Sequence, residues 1–241
     1  MEALVILSFV LLSIFPQLSA QLGEPYYQYI QLSLQVPKSR DPQSTLEYFP
    51  LHGFRPVNTS LSNPNLPLGF NRYTPIERCP QATSGPFFTS QLPQDLRTEL
   101  KLCWMSIGVP GQRTMTDERF WLYEYSKHGQ CTINEYPTPQ DYFAMAVNLW
   151  HLYPVDKWFK NNGLQPKKDK PLQDFVAVIS KEFGAIPWLT CYDNGKKLKE
   201  VGLCFLKSSS VNANPAPTSC PIRALTYDLR CNYLIQYDLG P

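Results

Sequence analysis

Seven cysteines, Cys79, Cys103, Cys131, Cys191, Cys204, Cys220 and Cys231, are spread along this chain without a single Cys-X-X-Cys pair. That spacing argues against a zinc ribbon or a thioredoxin-type site. In an oxidising compartment the same cysteines read as disulfides with one thiol left over, although spacing alone does not assign the pairs. The N-terminus agrees with such a compartment. Leu4 to Phe15 is almost wholly apolar, Pro16 interrupts it, and Leu18-Ser19-Ala20 precedes Gln21 in the manner of a cleavage site. Residues 1–20 are therefore expected to be a secretory signal and the protein to be extracellular. The apolar run is short of the roughly 20 residues a membrane helix needs, so no membrane association is expected. Asn58-Thr59-Ser60 is the usable glycosylation sequon, because Pro64 disqualifies Asn63.

A length of 241 residues allows one large domain or two small ones with a real core. With 43% hydrophobic and 17% charged residues, wholesale disorder is excluded. The formal charge of +2 permits a nucleic-acid substrate without arguing for one. Tyr26 to Val36 alternates apolar and polar residues and reads as a strand. Leu46 to Leu51 reads as a short second strand or extended segment ending at His52. Residues 56–86, rich in Pro, Asn, Ser and Thr, read as a long ordered loop held by Cys79. Helices are expected over Leu92 to Trp104, Glu118 to Gly129, Pro139 to Tyr153 and Leu172 to Phe183. Short strands such as Leu203 to Leu206 follow. With no repeat, linker or low-complexity tract, the simplest reading is one α+β domain over 21–241.

Of three histidines, two precede a glycine, in His52-Gly53 and His128-Gly129. The second closes Phe120-Trp121-Leu122-Tyr123-Glu124-Tyr125-Ser126-Lys127-His128-Gly129-Gln130-Cys131. On a helix, Glu124 and His128 are i,i+4 neighbours, as are Tyr123 and Lys127, so a carboxylate, an ammonium and an imidazole gather on one side. That set suits phosphoryl transfer on RNA, whose 2′-hydroxyl lies next to the scissile phosphorus. One imidazole takes the hydroxyl proton and a second protonates the departing 5′-oxygen, leaving a 2′,3′-cyclic phosphate and then a 3′-phosphate. A fixed lysine stabilises the charge that develops on the phosphoryl oxygens. By spacing alone, such a cluster is more often a solvated helix face with weak ion pairs.

Phe49-Pro50-Leu51-His52-Gly53-Phe54-Arg55-Pro56 resembles the first active-site segment of the T2-type ribonucleases, usually F-T-I-H-G-L-W-P. Phe120 to Cys131 resembles their second, usually F-W-x-H-E-W/Y-x-K-H-G-T-C. Both follow a Y-x-Q-L-x-L-type strand, the resemblance spans roughly 26–231, and the tail resembles the plant branch of S-RNases and S-like ribonucleases. It implies an α+β fold with an antiparallel sheet against several helices and a metal-independent endoribonuclease without cofactor, acting as a monomer on single-stranded RNA. It implies His128 as general base and His52 as general acid, with Glu124 and Lys127 stabilising the phosphorane. It further implies the disulfides Cys79–Cys131, Cys191–Cys231 and Cys204–Cys220, with Cys103 a buried inert thiol or a bridge to another chain.

Departures from the pattern qualify this. Tyr123 stands where the family usually has a further phosphate-contacting histidine, so it can donate a hydrogen bond to phosphate but carries no positive charge. Arg55 replaces a common base-contacting tryptophan, and an arginine can stack on a base. A cysteine pair before the first active-site segment and the tryptophan usual at the position of Val36 are missing. Phe120 is a further candidate lining residue. Phe87-Phe88 and Trp121 are expected in the core, and His151 is expected to be structural. The clusters Lys167-Lys168-Lys170 and Lys196-Lys197-Lys199 are expected to be solvated surface rather than RNA-steering patches. Two biological roles remain open, an S-like enzyme and a self-incompatibility S-RNase with pollen F-box partners. A sequence pI near 8.1 leans to the latter. The competing class is a catalytically weakened secreted binding, storage or defence protein on the same fold.

Overall fold

The structure, a computed structural model, describes residues 27–58, 74–75, 77, 79, 87–108, 115–207, 213–220 and 231–240. The expected signal, the rest of the Asn58 sequon and most of the expected loop lie outside the described residues.

An antiparallel sheet forms the centre. Its strands are β1 (Tyr29–Gln35), β2 (Leu51–Asn58), β3 (Thr74–Pro75), β5 (Trp188–Tyr192), β6 (Lys197–Leu206) and β7 (Pro217–Thr218), in the order β3-β2-β1-β6-β5 with β7 also on β6. A two-stranded ribbon joins β4 (Lys170–Pro171) to β8 (Leu234–Ile235). The helices are α1 (Gln94–Cys103), α2 (Asp117–Lys127), α3 (Pro139–Leu152), α4 (Val155–Asn161) and α5 (Leu172–Phe183). The fold is α+β.

The alternation in β1 sorts its residues onto two faces. Ile30, Leu32 and Leu34 lie level with Phe205, Leu203 and Val201 on β6, and Leu32 also with Phe54 on β2, forming an apolar face. Aromatic side chains close over it: Tyr142 and Tyr136 meet Phe54, and Tyr153 and Phe183 meet Phe205. The other face is polar yet also buried. Gln31 lies level with Arg55 and Cys204, Ser33 with Gly53 and Gly202, and Gln35 with Glu200. Alternation of this kind ordinarily marks a strand with one wet face; here both faces are covered.

Three differences from the sequence reading bear on the site. The second strand begins at Leu51 and contains His52, where an extended segment ending at His52 was expected. Residues 56–58 therefore belong to this strand and not to the loop. The register shows why local pattern missed it: Gly53 faces Ser33 and Leu51 faces Leu34, so His52 is an extra residue, a β-bulge that breaks the alternation. The helix α4 was not anticipated either; Pro154 stops α3 from continuing and starts the new helix.

The thirteen-residue expectation around Leu92 becomes a helix starting after Pro93, and α5 ends at Gly184 in a left-handed conformation that glycine adopts freely. Disulfides join Cys79 to Cys131, Cys191 to Cys231 and Cys204 to Cys220, with Cα separations of 5.3, 5.0 and 5.2 Å. Cys103 is free and fully buried.

Candidate active site

Helix α2 is placed by its apolar stripe. Thr116 caps its N-terminus by accepting a hydrogen bond from the Arg119 amide, and Asp117 and Glu118 suit the positive end of the helix. Trp121 and Tyr125 are fully buried. The Trp121 indole donates to the Trp104 carbonyl at 2.6 Å, and Tyr125 packs edge-on against Tyr142. Tyr142 in turn donates to the Phe54 carbonyl, which ties α2 and α3 to the strand that carries His52. The stripe that fixes α2 in the core therefore also fixes Glu124, Lys127 and His128.

His128 caps the helix, and its amide donates to the Glu124 carbonyl at 2.9 Å. A 3-10 turn, Gly129–Thr132, follows, and its Cys131 is bound to Cys79. A side chain at Gly129 would run into the Tyr125 ring, which accounts for the glycine after this histidine. The glycine after the other has a different reason. A Cβ at Gly53 would run into the Arg55 guanidinium and come 2.7 Å from Oε2 of Glu124.

The His52 Nδ1 lies 3.2 Å from Oε2 of Glu200, and its ring stacks on Phe120 with centroids 6.3 Å apart and planes 21° from parallel. Arg55 sits between two carboxylates. Its Nε is 3.6 Å from Glu124 Oε2 and its Nη1 is 3.7 Å from Glu200 Oε1. Lys127 is 2.9 Å from Glu77 Oε1 and lies over the Tyr123 ring at 5.3 Å. The structure thus gathers His52, Arg55, Phe120, Tyr123, Glu124 and Lys127, with His128 at the end of the same helix.

Burial sets the charges here. It raises the Glu124 carboxyl, and the nearby Arg55, His52 and Lys127 only partly counter it. Burial would raise Glu200 as well, but the charge and hydrogen bond of His52, with Arg55, push it down to about 2. Burial disfavours the Lys127 ammonium, yet its hydrogen bond to Glu77 holds it above its ordinary value.

Two residues in this cluster escaped the sequence reading. Glu200 is the lone carboxylate in the strand run Leu198 to Phe205, and an acid beside Lys199 in a largely apolar strand was its only signal. Glu77 lies in the expected loop, two positions before Cys79, and nothing local marks it. Arg55, a candidate base contact, is occupied by the carboxylates. Phe87 and Trp121 are core residues, but Phe88 is 60% exposed, because only one of two adjacent aromatics can face inward. His151 is exposed, and it has a charge partner that its own helix did not reveal: Glu99 on α1, 3.0 Å away. Lys167, Lys168 and Lys196 are exposed, and Lys197 pairs with Asp193. Asn58 ends β2 opposite Thr74. Among the described residues, no three His, Cys, Asp or Glu side chains gather as metal ligands, and no helix is long and apolar enough to cross a membrane.

Residues 26–216 match the model of the Ribonuclease T2 family. Ribonuclease DdI of Dictyostelium discoideum is 30% identical over 167 residues, which cover 68% of this chain and 64% of that protein. Ribonuclease S-2 of Nicotiana alata is 25% identical over 199 residues, 80% of this chain and 85% of that one. Among solved structures, ribonuclease MC1 from bitter gourd seeds has a TM-score of 0.64 at 20% identity, covering 88% of this chain and all of that one. The Nicotiana alata self-incompatibility-associated SF11-RNase has a TM-score of 0.65 at 22% identity, with the same coverage. At these identities the structures attest to a common fold.

Proposed function

From the premise that this chain belongs to the ribonuclease T2 family, we propose that it is a secreted, metal-independent endoribonuclease that cuts single-stranded RNA with two histidines. His128 accepts the proton of the 2′-hydroxyl as its oxygen attacks phosphorus, and His52 gives a proton to the 5′-oxygen as the P–O bond breaks. The products are a 2′,3′-cyclic phosphate and a new 5′-hydroxyl; hydrolysis then opens the ring to a 3′-phosphate. Because RNA carries its own nucleophile, the reaction needs no metal to generate one. Lys127 offers positive charge to the phosphorane. Glu124, whose carboxyl burial keeps above its usual range, offers a proton to a non-bridging oxygen under acid conditions. Tyr123, 40% exposed beside Lys127, donates its hydroxyl hydrogen to a phosphate oxygen in this reading.

The observation that carries this reading is the Arg55–Glu124 contact, which sets the end of α2 beside the His52 bulge of β2. Cleavage of end-labelled RNA in EDTA across pH 4–8, beside His52→Ala and His128→Ala, tests it. Cyclic-phosphate products from the wild type and none from either variant are expected. A folded wild-type protein that cuts nothing at any pH refutes it.

A second reading, a catalytically weakened binding or defence protein, draws on two observations. His128 is 2% exposed, and Lys127 is already engaged by Glu77. Titration with cleavable RNA separates the two, since a binder retains the RNA without turning it over. For the biological role, likeness to Nicotiana alata S-ribonucleases and a pI near 8.1 support a pistil ribonuclease with pollen F-box partners, over an S-like enzyme. Expression confined to the style is the expected outcome.

A further inference from the structure

The polar face of the sheet brings together a histidine and a carboxylate that are far apart in sequence. Glu200 is 5% exposed, and its Oε2 lies 3.2 Å from Nδ1 of His52. Its other oxygen, Oε1, is 3.7 Å from the Arg55 guanidinium. We propose that Glu200 is the positioning residue of His52: it accepts a hydrogen bond from Nδ1–H, fixes the ring in its bulge, and leaves Nε2 as the nitrogen that gives its proton to the leaving oxygen. This rests on the two-histidine reading of the site and adds to it a ring orientation and a named orienting group.

A carboxylate has no proton to give, so the nitrogen facing it must be the donor. Glu200 remains ionised because His52 and Arg55 pull its carboxyl down to about 2 against the effect of burial. Once Nδ1 carries a proton held by Glu200, the neutral ring that remains after proton transfer is the Nδ1–H tautomer, with Nε2 free to be reprotonated. An imidazole in water prefers the other tautomer, so the orientation is imposed by the protein. The stacked Phe120 ring, 6.3 Å away, restricts the imidazole from one side. Arg55 completes the unit. It lets Glu200 and Glu124 occupy one buried site, so that the orienting carboxylate and the one at the phosphorane stay close without repelling each other. This assigns Arg55 to the interior of the site and not to a base.

Histidine-selective 15N labelling tests the inference, since only His52, His128 and His151 contribute signals. In the wild type with a neutral ring, His52 is expected as the Nδ1–H tautomer. In Glu200→Ala it is expected to shift towards Nε2–H, with kcat lower by about 100-fold and KM within about threefold, because the general acid it orients is itself worth at least about that much. A folded Glu200→Ala protein whose His52 tautomer is unchanged overturns the proposal, whatever happens to its rate. Should that variant not fold, Glu200→Gln retains the shape and removes the charge. It is expected to lower kcat at least tenfold, and an unchanged kcat overturns the proposal. The tautomer is read without turnover, so a wild type that cleaves no RNA refutes the ribonuclease reading while Glu200 is still judged by its own spectrum.

Discussion

The Nε of Arg55 stands 3.6 Å from Oε2 of Glu124, while the same guanidinium reaches Glu200 through Nη1 at 3.7 Å. Both carboxylates are buried, so removing the cation leaves two like charges together at low dielectric. Arg55→Met is expected to cost about 3–5 kcal/mol, as other broken buried ion pairs do. Arg55→Lys should recover part of that, because an ammonium restores charge without the planar fork that spans two partners. Urea unfolding of the three proteins measures this. A loss of about 1 kcal/mol or less for Arg55→Met, as for a surface pair, would show that the cluster does not hold the fold.

Glu200 makes stability depend on pH in a defined direction. Its folded-state carboxyl lies at about 2, below its value in an unfolded chain. The stability it contributes is therefore full above about pH 4.3, the ordinary glutamate value, and is lost as the pH falls towards 2. The size is on the order of 3 kcal/mol, from 1.36 kcal/mol per unit of difference. Glu124 acts oppositely: its raised carboxyl binds the proton more tightly folded than unfolded, and so weakens the fold as the pH rises past the carboxylate range. Thermal melts from pH 2 to 6 should show a flatter acid limb for Glu200→Gln than for the wild type. Parallel limbs would remove Glu200 as the source.

Lys127 is engaged by Glu77 before any substrate arrives, with 2.9 Å between Nζ and Oε1. A phosphate that takes Lys127 must displace that carboxylate. Glu77 is largely exposed, so Glu77→Gln should leave the melting temperature unchanged. It should lower KM for RNA by up to about fivefold, matching the ~1 kcal/mol upper limit of an exposed ion pair. Steady-state kinetics decide it, and a raised KM would mean that Glu77 helps substrate binding.

The free thiol of Cys103 is fully buried, and burial, with some help from Glu99, pushes it up to about 12. It should be inert to a disulfide reagent in the folded protein at pH 8 and react with one equivalent after unfolding in urea, since the thiolate is the reactive form. Rapid labelling of the native protein would show instead that α1 opens.

Local pattern was enough for several features of this molecule, each for a physical reason. The stripe of Phe143, Ala146 and Val147 marked α3 because a helix must bury one face. The Phe120–Cys131 segment marked the end of α2, because helical spacing and a stopping glycine are both local. The β1 alternation also survived folding, although its polar side proved to be buried. By contrast, the strand status of His52 was not legible, since a bulge shows only in the register with β1. Nor was the partner of His151, which sits on another helix.

Covalent order alone makes the reactive groups available: two histidines each beside a glycine, and a glutamate and a lysine one helical turn apart. Those are short-range facts, set by covalent order and the 3.6-residue period. How these groups are charged and aimed depends on long-range packing. Glu200 reaches His52 because β6 lies against β1 and β1 against β2, a pairing fixed by the burial of Leu32, Phe54 and Leu203 on the opposite face. The same burial removes water from Arg55, Glu124 and Glu200, and this desolvation, which no local pattern encodes, raises the Glu124 carboxyl, while His52 and Arg55 outweigh it at Glu200 and hold that carboxyl low.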